Sequence, residues 1–99
     1  MDEKTAIFQF VDDILDLSRK SFNDRLLKLK DEGHKRIGID LSDKPYLNSE
    51  SIGVLAYNYV VLHDLGVEIF FMNPAPKVIQ ILQSTGLDRV IKIEYTKPK

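Results

Sequence analysis

Two histidines and a few aspartates and serines are the side chains of this sequence that could support acid–base, metal or nucleophilic chemistry. His34 and His63 lie far apart and without the spacing of a metal-ligand pair. Neither is placed as an obvious base for a serine nucleophile, and no glycine-rich phosphate loop is present. The chain has no cysteine, which excludes thiolate ligands and disulfides. The sequence therefore predicts no catalytic residue, no metal and no cofactor.

Three aspartates lie near or just after the ends of predicted strands, where carboxylates of α/β proteins can bind Mg²⁺ or accept a phosphoryl group. Asp12 and Asp13 come after the first strand, and Asp40 lies near the end of the second. Receiver domains of response regulators use such groups, but they are longer and carry a lysine after a later strand that is not evident here. Aspartate is also common in turns. We therefore interpret Asp12 and Asp13 as turn residues and Asp40 as a loop cap.

Ser49 stands at the predicted start of a helix, where a serine can have a chemical role. The free N–H groups and the dipole of a helix N-terminus stabilise a phosphate, and phosphorylation adds roughly −1.5 to −2 charges. Serine is also a frequent N-cap that serves stability alone. The residue pattern leaves both roles open.

These side chains are positioned by an alternation of strands and helices. Runs rich in Ile, Val and Phe predict strands, and apolar residues spaced three and four apart predict helices that end at glycines. The predicted strands cover residues 5–10, 37–41, 67–72 and 90–95, and the predicted helices cover residues 17–32, 76–84 and a segment from 48 or 49 to 63. With right-handed crossovers this order predicts an α/β fold, with a small, mostly parallel sheet of about four strands and helices packed against it.

The second helix and the second strand have distinct burial patterns. The strand at 37–41 is almost continuously apolar, which predicts that both of its faces are covered. In the second helix Asn58 lies outside the apolar set and is predicted to be mainly exposed. The apolar set of that helix, predicted to face the core, is Ile52, Leu55, Ala56, Tyr59 and Leu62.

Composition limits the classes of partner. The chain has 14 basic and 15 acidic residues, for a formal net charge of −1, whereas nucleic acid binding needs a concentrated basic face. No apolar run approaches the roughly 20 residues of a membrane span, and the acidic start lacks a signal-peptide core. We expect a cytoplasmic protein with one domain over residues 1–99, a core at about 5–95 and a frayed tail at 96–99.

One segment carries a pattern that is more specific than its secondary structure. It reads Asp-Leu-Ser at 40–42, Tyr-Leu at 46–47 and Asn-Ser-Glu-Ser-Ile-Gly-Val-Leu at 48–55. Asn-Pro-Ala-Pro follows the third strand at 73–76, and Leu-x-x-x-Gly-Leu-Asp lies at 82–88. In this order and spacing the motifs resemble the STAS family, the sulfate-transporter and anti-sigma-factor-antagonist domains.

The resemblance, which covers about residues 5–95, implies a regulatory binding domain and not an enzyme. In bacterial antagonists of this family, the unphosphorylated domain binds an anti-sigma factor that is also a serine kinase. The kinase phosphorylates the serine after the motif's aspartate, binding is lost, and a phosphatase resets the switch. By position the acceptor is Ser49. The implied partner-binding surface consists of Tyr46, Asn48, Ser49, Glu50, Ser51 and Gly53.

The motif departs from the family pattern at three positions. Asn48 stands where the family has Asp, Glu50 where it has the second Ser, and Ser51 where it has Gly. Glu50 adds bulk and negative charge beside the acceptor. The alternative is a STAS subunit that docks constitutively in a larger complex, such as a lipid-transport machine, with a degenerate phosphorylation motif. The extra N-terminal strand and the C-terminal helix that are usual in the family look short or absent here. This would expose a sheet edge, which a homodimer would cover.

Overall fold

Strands and helices alternate along the chain in the computed structural model, which describes residues 5–9, 19–43 and 46–96. The predicted turn at 11–16, with Asp12 and Asp13, and the predicted start of the first helix lie outside the described residues. The strands are β1 Thr5–Gln9, β2 Arg36–Asp40, β3 Glu68–Met72 and β4 Ile93–Glu94, and the helices are α1 Arg19–Asp31, α2 Ser49–Asp64 and α3 Pro76–Thr85.

The described strands form one parallel sheet in the order β1-β2-β3-β4, so each strand pairs with the next one along the chain. Each pair is joined by a helix, which is the usual connection between parallel neighbours. In the register of the central pair, Ile37 lies beside Ile69 and Ile39 beside Phe71. The prediction of an α/β fold with a parallel sheet of about four strands is confirmed.

One face of the sheet packs against α1, α2 and α3. Strand residues alternate between faces, and on this face those of the two central strands are almost completely buried, whereas Phe8 of β1 and Ile93 of β4 are half-buried. Burial of one such side chain contributes about 1.5–3 kcal/mol. Phe8 of β1 also meets Phe22 of α1 edge to face, with ring centroids 5.2 Å apart. The shared core includes Ile37, Ile39, Ile69 and Phe71 from the sheet, and Phe22, Leu26, Leu55, Leu62, Val78 and Leu82 from the helices.

The opposite face of the two central strands is covered by side chains of the sheet itself. Phe70 and Met72 on β3 close over Gly38 on β2, where a Cβ would lie 2.6 Å from Met72 Sδ and 2.7 Å from Phe70 Cζ. Phe70 and Met72 are only 2% and 6% exposed. The prediction that the second strand is buried on both faces is therefore confirmed at its centre.

Arg36 completes the cover of this second face. Its guanidinium carbon lies 4.3 Å from the centroid of the Phe70 ring. Arg36 donates hydrogen bonds to Glu68 at 3.0 Å and to Glu94 at 2.7 Å. Burial opposes the charge, but the hydrogen bonds and the attraction of these two carboxylates prevail and raise the pKa of Arg36 above its ordinary value. A permanent cation therefore lies over an apolar ring.

The prediction that Asn58 is mainly exposed is wrong, because its side chain is 0% exposed. The Asn58 amide nitrogen donates to the carbonyl of Val54 at 2.8 Å, and its oxygen accepts from Asn23 Nδ2 at 2.8 Å. Both ends of the buried amide are thus satisfied, and the second bond ties α2 to α1. The buried residues of α2 are Ser51, Val54, Leu55, Asn58 and Leu62, whereas Ile52, Ala56 and Tyr59 are half-buried.

The C-terminal part of the fold is shorter in β-structure than predicted. Gly86 ends α3 in the left-handed conformation, with φ of 80°. A 3₁₀ turn at Leu87–Arg89 follows, and of the predicted strand at 90–95 only Ile93 and Glu94 pair with β3. Thr96, expected in a frayed tail, is held by two hydrogen bonds to the Asn73 side chain, at 2.9 and 3.0 Å.

Candidate functional site

The loop from β2 to α2 begins with a side-chain cap. Asp40 Oδ1 accepts a hydrogen bond from the Ser42 N–H at 2.9 Å, a local bond that aspartate makes in turns. Leu41 is buried, and its N–H bonds to the carbonyl of Met72 at 3.0 Å. Asp40 is therefore used as a loop cap, as interpreted from the sequence, and Ser42 lies exposed on the loop.

Asn48, and not Ser49, is the N-cap of α2. It has extended backbone angles, φ −95° and ψ 176°, and its side-chain oxygen accepts the Ser51 N–H at 2.8 Å. The preceding Leu47 is 5% exposed and belongs to the core against which Ile52 packs. An apolar residue before the cap paired with one at the fourth helical position fixes where a helix begins. The expectation that Ser49 itself has the N-cap geometry is wrong, since Ser49 is the first helical residue.

Ser49 and Glu50 occupy the first two positions of α2, and both are exposed. The first N–H groups of a helix have no intrahelical partner. Asn48 takes the N–H of Ser51 through its side chain and that of Ile52 through its carbonyl. Among the described residues the amides of Ser49 and Glu50 have no acceptor, so these two donors of the first turn remain for solvent or an anion. A phosphate on Ser49 would stand in the favourable field of the helix N-terminus.

The structure separates the six residues predicted for partner binding into two groups. Tyr46 is 57% exposed, and Asn48, Ser49, Glu50 and Gly53 are exposed as well. Ser51 is only 3% exposed. Its side chain faces the core and cannot contact a partner while α2 is formed, so it does not belong to the accessible surface.

Two accessible residues of α2 were not singled out from the sequence. Tyr57 and Val60 are 53% and 56% exposed, and they follow Gly53 at intervals of four and three residues. They therefore lie on the same side of the helix as Gly53. The sequence could have indicated this exposure, because both residues fall outside the three- and four-residue spacing of the apolar residues that face the core.

The described residues offer no arrangement that could hold a metal ion. They contain no cluster of three or more His, Asp or Glu side chains that could hold a metal ion. An open cleft of about 330 Å³ lies at the other end of α2, lined by Tyr59, His63, Gly66, Val67 and Glu68. The Tyr59 and His63 rings stack there with centroids 5.7 Å apart, and the Glu68 carboxylate bonds to Arg36. No helix in the described ranges is long and apolar enough to cross a membrane.

The four-stranded parallel sheet with its three helices matches the fold of STAS domains. The chain belongs to the STAS domain family, whose pattern matches residues 2–98. No curated protein matches the chain. The resemblance stated from the sequence motifs is confirmed.

Solved structures share this fold. The NMR structure of the protein TM1081 superposes with a TM-score of 0.84 at 24% identity, covering 97% of this chain and 78% of that one. The crystal structure of tm1081 from Thermotoga maritima, a candidate anti-sigma factor antagonist, gives 0.71 at 21% identity over 98% and 83%. The anti-sigma factor antagonist SpoIIAA in its unphosphorylated form gives 0.72 at 13% identity over 98% and 84%.

Proposed function

We propose that this chain is a regulatory docking domain that binds an anti-sigma factor with serine kinase activity and is released when Ser49 is phosphorylated. The observation that carries the proposal is the exposure of Ser49 at the first residue of α2. A kinase needs an accessible hydroxyl, whereas Ser51 is buried. Domains of this fold are generally regulatory and not enzymatic, so the chain acts by binding.

Phosphorylation of Ser49 leaves the domain folded. Among the described residues the Ser49 hydroxyl makes no hydrogen bond, so no internal contact is lost. The phosphate adds roughly −1.5 to −2 charges next to first-turn amides, where the helix dipole favours negative charge. The same charge must be desolvated when a partner covers the site. Docking therefore weakens while the fold persists, and a phosphatase that reaches the exposed site restores binding.

The docking surface comprises Tyr46, Asn48, Ser49, Glu50 and Gly53, all exposed at the start of α2. The position of this surface is fixed, because Leu47 within the loop is buried in the core and Asn48 caps the helix. Tyrosine supplies a large contact area with few torsions to restrict, which makes Tyr46 the expected anchor of the contact.

A second function is favoured by Glu50. This carboxylate is exposed at the residue after Ser49, and a like charge at this distance opposes the accumulation of phosphate charge. The chain would then dock constitutively as a subunit of a larger complex, such as a lipid-transport machine, without a switch. A serine kinase and a sigma factor gene beside this gene support the switch, and a transporter operon supports the constitutive subunit.

The test is to incubate the purified chain with ATP and each serine kinase–anti-sigma factor of the same genome, and to map phosphate by mass spectrometry. We expect phosphate on Ser49, its loss in Ser49→Ala and its retention in Ser42→Ala, a matched exposed serine in the loop that precedes α2. Ser49→Asp should fold but bind the kinase more weakly than wild type. Phosphate on Ser42 or Ser51, or full binding by Ser49→Asp, refutes the switch.

A further inference from the structure

Gly53 has no structural reason to be glycine within the described residues. It lies inside α2, is exposed, and a Cβ built on it meets no atom within 4 Å. Its φ is not in the left-handed range that requires glycine at Gly33, Gly66 and Gly86. Glycine inside a helix is less stable than alanine. The folded domain alone would thus be more stable with a side chain here, which points to a function that requires the backbone to be bare.

Gly53 is the centre of an exposed strip of α2. Ser49, Gly53, Tyr57, Val60 and Asp64 follow one another at intervals of four, four, three and four residues, which places them on one side of the helix. We call these five residues the α2 strip. All five are exposed, and they lie opposite the buried face of α2. The bare backbone at Gly53 is therefore bordered on its C-terminal side by two large exposed side chains, Tyr57 and Val60.

The charge around the α2 strip indicates which kind of partner surface would be complementary to it. The chain has no Lys or Arg from residue 45 to residue 76. The acidic side chains of α2 are Glu50 near its start and Asp64 at its end, and the one basic group of the helix is the exposed imidazole of His63. A second copy docked in parallel on the same strip would place Glu50 against Glu50 and Asp64 against Asp64, and an antiparallel copy centred on Tyr57 would place Glu50 against Asp64, which is unfavourable in both cases. A partner with an apolar centre and a basic rim is complementary.

We infer that the α2 strip binds a helix of the partner whose backbone crosses over Gly53, with an apolar side chain between Tyr57 and Val60 and a basic side chain opposite Asp64. This inference deepens the proposed function and rests on it. The missing side chain at Gly53 lets the two helices approach closely. Ser49 lies one turn away on the same side of α2, so its phosphate would occupy the space of the crossing helix. Release then follows from steric exclusion as well as from charge.

The first arm of the test needs no partner. Gly53→Ala should raise the thermal midpoint by roughly 3–6 °C, since alanine is the better helix residue and the space is open. Gly66→Ala is the matched control and should lower the midpoint, because its φ of +85° strains any side chain. A Gly53→Ala midpoint equal to or below wild type would overturn the inference, since glycine would then have a role within the fold.

The second arm uses defined probes and ¹⁵N amide shifts of the full chain. One probe is an amphipathic helical peptide with a leucine face and lysine flanks, and the other is its glutamate-flanked counterpart. The lysine-flanked peptide should shift Gly53, Tyr57 and Val60, and the glutamate-flanked peptide should not. Equal shifts with both peptides, or shifts that cluster outside α2, contradict the proposed occupant. A wild-type dimer in sedimentation that Tyr57→Lys dissociates would assign the strip to a second copy instead.

The third arm uses the kinase–anti-sigma factor that modifies Ser49. Gly53→Leu should fold yet weaken binding roughly tenfold or more, while Gln80→Leu, at an exposed position of α3, should bind as wild type. Asp64→Lys should weaken binding and reduce its dependence on salt. If no kinase modifies Ser49 but the first two arms succeed, the phosphorylation switch fails and the assignment of the strip stands. If Ser49 is modified but Gly53→Leu binds normally, the strip fails and the switch stands.

Discussion

Replacement of Asn48 and of Ser49 by alanine should separate the cap of α2 from its phosphoacceptor. Asn48 Oδ1 accepts the Ser51 N–H at 2.8 Å, so Asn48→Ala leaves that donor without its partner. The expected loss is about 1 kcal/mol, which for a domain of this size lowers the thermal midpoint by roughly 4–8 °C. The exposed Ser49 hydroxyl makes no hydrogen bond among the described residues, and alanine is a good helix former. Ser49→Ala should therefore stay within about 0.5 kcal/mol of wild type.

The measurement is urea or thermal unfolding of the purified variants, followed by far-ultraviolet circular dichroism. Asn48→Asp is the matched control, since a carboxylate also caps a helix and its charge suits the N-terminus. It should retain the stability of wild type. If Ser49→Ala loses as much stability as Asn48→Ala, Ser49 has a capping role and its position as a free acceptor is misassigned. If Asn48→Ala loses nothing, the first turn of α2 is held by other contacts.

Further variants probe the packing that supports the site. Asn58→Ala should lower the free energy of unfolding by about 2 kcal/mol, because two hydrogen bonds of the buried amide are lost. A double-mutant cycle with Asn23→Ala should give a coupling energy of about 1 kcal/mol. Additive losses would contradict the Asn23–Asn58 bond. Leu55→Ala, at a side chain 1% exposed, should lower stability by about 2–5 kcal/mol, and an unchanged urea midpoint would show that its side of α2 is misassigned. Gly38→Ala should cost about 1–3 kcal/mol by overpacking, and less when Phe70→Leu and Met72→Ala are both present, since both side chains would meet the added Cβ. Equal losses in the two backgrounds would refute the contact over Gly38.

The fold could be predicted from the sequence because its signals are repeated and local. Strand residues rich in Ile and Phe alternate with helices that end at glycines, and the order of elements determines the parallel sheet. The boundaries of α2 and β3 agree with prediction within one or two residues. The last strand was overestimated, because a run such as residues 90–95 does not reveal that the 3₁₀ turn at Leu87–Arg89 precedes it.

The errors at the candidate site come from polar residues whose partners are distant in sequence. Asn58 reads as a surface residue, but Asn23, on another helix, satisfies its amide. Asn48 and Ser49 are both good caps, and the sequence alone does not choose between them. The burial of Leu47 places Asn48 at the cap position. The Tyr57 and Val60 surface was missed because single apolar residues on a helix surface are common and carry no signal by themselves.

The strictly sequential strand order also affects how the chain folds. Each strand pairs with a neighbour that lies roughly 30 residues away or less, as in Thr5↔Arg36, Arg36↔Glu68 and Phe71↔Ile93. Each pairing therefore closes a loop of only one strand–helix–strand crossover. Since the entropy lost in closing a loop increases with its length, the entropic cost of each pairing is limited. Strands can therefore be added one at a time as the chain leaves the ribosome. In that order of synthesis the two residues of β4 would be the last to pair.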